Sequence, residues 1–161
     1  MSSKEYLPED PQPFDRDEVR LAVERLIDAC RDAEQGYRDA AEHISDPTLK
    51  TYFREQSIGR AQFASDLQAE LHRFGKWETT RQGSVGGTIQ RIWFDVKRAL
   101  GGKDRAILEE IEAGEDRSKQ AYDDALKHDL PPEIAGLIRS QAQTVYAAHD
   151  HAKQLRDRKA A

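Results

Sequence analysis

Cysteine is almost absent from this 161-residue chain: Cys30 stands alone, which excludes an internal disulfide framework and a thiolate zinc cage. Aromatics are scarce at 7%, and Gly and Pro together number 16. That leaves too few strand formers and turn residues for an all-β domain. No run approaches the ~18 apolar residues of a membrane span, and the N-terminus has no apolar signal core, so a reducing cytoplasmic setting is expected. No excess of positive charge is present either. The net charge is −5, and basic residues form no stripe, so neither nucleic acid nor an anionic membrane is an expected partner.

Charge itself is abundant, at 34% against 37% hydrophobic residues. With plentiful Ala, Glu, Asp, Arg, Lys and Gln, the composition favours long, solvated helices. Residues 1–14, with Pro8, Pro11 and Pro13, read as a tail. Asp15 or Asp17 can then cap a helix. Val19, Val23, Leu26, Cys30, Ala33, Tyr37, Ala40 and Ile44 follow at gaps of four and three, one face of a helix over about 16–44. A second helix, about 47–74, repeats the pattern from Leu49 and Phe53 to Phe74, but sets Gln56 and Arg60 in mid-seam. A short helix over 86–100 carries Ile89, Ile92, Trp93, Val96 and Leu100. Two more long helices are expected over about 104–127 and 132–157, divided by Pro131-Pro132.

Short links make hairpins of the first and second long helices and of the third and fourth. The intervening link of about 29 residues is long enough to cross the bundle. The expected fold is therefore all-α, one domain over 15–158. It is an antiparallel four-helix bundle of ferritin-like type, whose long crossover holds the short fifth helix. An extended coiled-coil oligomer is the less favoured alternative.

Such bundles house diiron sites built from two Glu and two Glu-x-x-His motifs, because residues three apart share a helix face and reach one ion. Glu34, Glu115 and His149 are the inward candidates here, but no Glu-x-x-His occurs where the pattern needs it. Two readings stand. In one, Glu34, Glu115 and His149 form an altered site for iron or another divalent metal. In the favoured one, no metal or other cofactor is held, and Glu34, Gln56, Arg60, Glu115, Gln141 and His149 form a polar core layer. Arg60 favours the second, since a fixed cation opposes a dication. No catalytic residue is assigned. Cys30 reads as an inert core thiol. Gly83-Ser84-Val85-Gly86-Gly87 lacks the lysine of a phosphate loop, and the long charged helices with the short one offer a face for a homodimer.

Cys30 to Tyr37, Ala40-Ala41-Glu42, Arg91-Ile92-Trp93, Glu112 to Asp116 before Tyr122, and His149-Asp150 together resemble a bacterial family of ferritin-like bundle proteins classed as a domain of unknown function. The resemblance spans roughly Val19 to Arg156. It implies the ferritin-like fold and a bacterial cytoplasmic location, and it supplies no activity. A stress-related or interaction role is expected by analogy with ferritin-like proteins at large, and iron oxidation or iron handling is the alternative.

Overall fold

A computed structural model describes residues 14–75 and 104–160. These form four helices, with no strand among the described residues: α1 Arg16–His43, α2 Pro47–Gly75, α3 Asp104–Ala125 and α4 Pro132–Ala160. The helix expected over 86–100 lies outside the described residues, as does the tail apart from Phe14. Phe14 itself packs against the core.

Local chemistry sets the helix ends. The Asp15 carboxylate accepts from the backbone N–H groups of Asp17 and Glu18 at 3.0 and 3.1 Å, satisfying two donors that the helix leaves free. Asp46 does the same for Thr48 and Leu49, while Pro47 opens α2 where a missing N–H costs nothing. Asp104, first in α3, accepts from the backbone N–H and hydroxyl of Ser45 at 2.9 and 2.7 Å. This fastens the start of α3 to the α1–α2 turn.

Contacts fix the directions. Arg31 meets Gln68 and Tyr37 meets Phe53, so α1 and α2 are antiparallel. Cys30 meets Tyr122 and Tyr37 meets Glu115, so α3 is antiparallel to α1 as well. Tyr122 with Gln141 and Glu112 with Arg156 make α4 antiparallel to α3. Helices α2 and α3 therefore run parallel on a diagonal. The end of α2 and the start of α3 lie at opposite ends of the bundle.

Two apolar clusters fill the interior. One gathers Val19 to Cys30 of α1 with Ala64, Leu67, Tyr122 and Ile134 to Val145. The other gathers Ala33 to Ile44 with Leu49, Phe53, Ile107, Leu108, Ile111 and Ala152. Between them lies a polar band, and its residues are the candidate site.

Candidate functional site

The band is built on mid-helix positions, where side chains point at the axis and are held by packing above and below. Its buried polar members among the described residues are Ser57, Arg60, Glu115, Ser118 and Gln141. Arg60 Nη2 donates to Glu115 Oε1 at 2.6 Å, and the two side chains are 2% and 0% exposed. A full ion pair thus sits in the core. Arg60 Nη1 donates to Ser118 Oγ at 3.3 Å. The Tyr37 hydroxyl donates to the same Glu115 oxygen at 2.5 Å, and the guanidinium lies 5.7 Å from the centre of the Tyr37 ring. Two buried glycines, Gly36 and Gly114, directly precede this bonded pair.

A second chain of bonds lies two turns along α1. Tyr122 donates to Gln141 Oε1 at 2.8 Å and rests 3.2 Å from the Cys30 sulfur. Gln141 in turn donates to the Phe63 carbonyl at 3.3 Å. The network touches all four helices.

Burial dominates the electrostatics. It pushes the Cys30 thiol up to about 11 against the opposing bond from Tyr122. Burial also raises Tyr122, with the neighbouring Cys30 next in effect. It raises Tyr37 well above the ordinary phenol value, and the Glu115 charge adds to this. For Arg60, burial works against the charge, but the adjacent Glu115 outweighs it and holds the guanidinium above its ordinary value. Cys30 is 1% exposed, and a buried thiol held protonated is a poor nucleophile.

The six residues expected in a polar core divide. Arg60, Glu115 and Gln141 are buried and belong to the network. Glu34 is not joined to Arg60: its carboxylate pairs with Arg38 one turn along α1 at 2.9 Å, leaving only its backbone carbonyl facing inward, to Ser57 Oγ at 2.9 Å. Gln56 is half-buried, and Ser57 takes the core position beside it. His149 lies at the α3–α4 seam, its Nε2 2.5 Å from Asp116 and its Nδ1 3.3 Å from Asp150. Tyr37, Ser118, Tyr122 and Cys30 complete the network, although their seam positions read as plain packing.

The three candidate metal ligands are not brought together. Glu34, Glu115 and His149 turn to three different partners, and among the described residues no group of three or more His, Cys, Asp or Glu side chains is brought together. The Arg60 guanidinium stands 2.6 Å from the buried Glu115 carboxylate, where a dication would meet repulsion. Glu115 Oε2 is buried without a hydrogen-bond partner among the described residues. The arrangement pairs its own charges and links side chains from all four helices.

A comparison with curated proteins finds no match. Residues 18–128, spanning nearly all of α1, all of α2 and α3, and the start of the α3–α4 turn, match the family described as Domain of unknown function (DUF2383), and the protein belongs to that family.

Proposed function

We propose that the protein is a ferritin-like bundle with a non-enzymatic role, in which the Arg60–Glu115–Tyr37 cluster stands where relatives of that fold hold two metal ions. The fold reading is supported by the parallel diagonal of α2 and α3, which calls for one long crossover rather than up-down-up-down order. The observation that carries the functional reading is the 2.6 Å contact of Arg60 with Glu115 in a sealed core. A buried ion pair adds little stability compared with apolar packing, and its best-attested use is to specify register. The protein then acts through its surface, as an interaction module. A bacterial cytoplasmic setting, resting on the family resemblance, and a stress-related role, resting on analogy with ferritin-like proteins at large, are part of the proposal.

One observation favours a second reading, that of a metal-binding or iron-oxidising protein: the buried Glu115 Oε2 finds no donor among the described residues. Metal analysis of protein purified without chelator and then loaded with ferrous iron separates the two. The register reading expects no stoichiometric metal. Two ions per chain, lost in Glu115→Ala, would overturn it.

A further inference from the structure

The end of α2 and the start of α3 lie at opposite ends of the bundle, and residues 76–103 join them. A helix over 86–100, as the sequence reads, would rise about 22 Å, against about 33 Å for the 22 residues of α3. Extended chain at ~3.3 Å per residue over 76–85 and 101–103 covers the remainder with length to spare. The segment holds Ile89, Ile92, Trp93, Val96 and Leu100 at helical spacing, a stripe that gains by leaving water.

The outer faces of the bundle differ in what they offer such a stripe. Arg25, Asp28, Asp32 and Asp39 put a charge on successive turns of α1, and Arg31 reaches Gln68 at its border with α2. Asp116 with His149, Asp123 with Tyr146, and Glu112 with Arg156 occupy the seam of α3 and α4. The α2/α4 face is uncharged at its middle. Phe63 bonded to Gln141, and Tyr52 edge-on to His151, set the two helices side by side and put Gly59 level with Thr144. Tyr52, Gln56, Gly59 and Phe63 form one stripe of α2 and are only half-buried. Beside them Gly136, Ser140, Thr144 and Ala147, small residues at gaps of four and three, stand exposed on α4. A side chain added at Gly59 or Gly136 would meet nothing within 4 Å, so a further helix can approach closely here.

Charge favours the same pairing. Residues 76–103 carry Lys76, Arg81, Arg91, Lys97, Arg98 and Lys103 against Glu78 and Asp95, in a chain whose net charge is −5. One turn before Gly59 and two turns after it stand Glu55 and Asp66, both acidic. Arg54 lies about 140° round the helix from Gly59 and borders the other side.

We infer that residues 86–100 of this same chain occupy the α2/α4 groove, with Trp93 and its apolar neighbours laid along Gly59, Thr144 and Ala147. The segment then runs antiparallel to α2 and arrives where Asp104 is fastened to Ser45. The inference concerns the outer surface and stands whether or not the interior binds metal.

Trp77 and Trp93 are the two tryptophans of the chain, so Trp77→Phe leaves Trp93 as sole reporter. In the folded full chain its emission should be blue-shifted and several-fold less quenched by acrylamide than in urea. Gly59→Arg fills the groove and should raise the quenching towards the unfolded value, whereas Gln35→Arg on α1 should not. Mild oxidation in a Cys30→Ser background reads the position. Thr144→Cys with Ile92→Cys should link within one chain, and Gln35→Cys with Ile92→Cys should stay open. Trp93 quenched as freely in the folded protein as in urea would overturn the inference. So would a Thr144 pair that fails to link, or that links only between chains. Circular dichroism shows which variants fold, and the cross-link decides if Gly59→Arg does not.

Discussion

Arg60 of α2 and Glu115 of α3, which face each other across the bundle diagonal, share a 2.6 Å ion pair closed off from solvent. The cost of dehydrating both charges is largely offset by their mutual attraction and by the added bonds from Tyr37 and Ser118. Removing one partner leaves the other charged and alone. Glu115→Ala is therefore expected to lose about 3–5 kcal/mol of stability, whereas Arg60→Met with Glu115→Leu should be neutral or gain ~1–4 kcal/mol. Urea unfolding of both variants checks this. If the single and double variants lose equally, the pair is not the determinant.

Tyr122 donates to Gln141 and contacts Cys30 in the second bonded layer. Tyr122→Phe keeps the ring but leaves the Gln141 oxygen buried without its donor, a cost of about 1–3 kcal/mol. Gln141→Leu in that background should recover part of it. A null effect in thermal unfolding would mean that the amide finds another donor.

Cys30 is 1% exposed, and burial pushes its thiol up to about 11. A thiol-reactive dye at pH 8 should label it only at the rate at which the bundle opens, and at once in denaturant. Rapid labelling of native protein would contradict this placement.

Burial, with the neighbouring Asp28 charge, raises Asp32 to about 6, and Arg117 only partly opposes this. A carboxyl group whose pKa is higher folded than unfolded favours the folded state while protonated. Its contribution is complete below about 4 and lost as pH rises through about 6. Asp32→Asn should accordingly gain about 1 kcal/mol at pH 7.5, after allowance for solvent screening, and nothing at pH 4. Urea unfolding at the two pH values decides it, and an equal effect at both would show that charge is not the cause.

The helices were legible because each is bounded by local chemistry: the Asp15 cap, Pro47 after Asp46, Pro131-Pro132 before α4. Four–three spacing then marked the inward faces. The polar band was legible only at Arg60, Glu115 and Gln141, whose side chains are conspicuous among apolar neighbours. Adjacent residues differ by about 100° around a helix, so spacing could not decide between Gln56 and Ser57. Nor could it foresee that Glu34, at the edge of its face, would turn to Arg38. His149 was placed by its own helix, but its position is decided by Asp116, a residue of another. Tyr37 and Tyr122 were visible as packing, and their hydroxyls acquire partners only when distant helices meet.

The diagonal placement of α2 and α3 also divides the chain in time. Each hairpin closes through near neighbours in sequence, as with Ser57 and Glu34, 23 residues apart, or Tyr122 and Gln141, 19 apart. The bonds that join the hairpins span 55 and 78 residues, at Arg60–Glu115 and Tyr37–Glu115. Loop closure makes the local units first to form and the docking of one hairpin on the other the slow event. The buried charges are thus expected to be the last contacts to meet, once the two hairpins have formed. Substitutions at Glu115 should consequently speed unfolding while barely changing the folding rate.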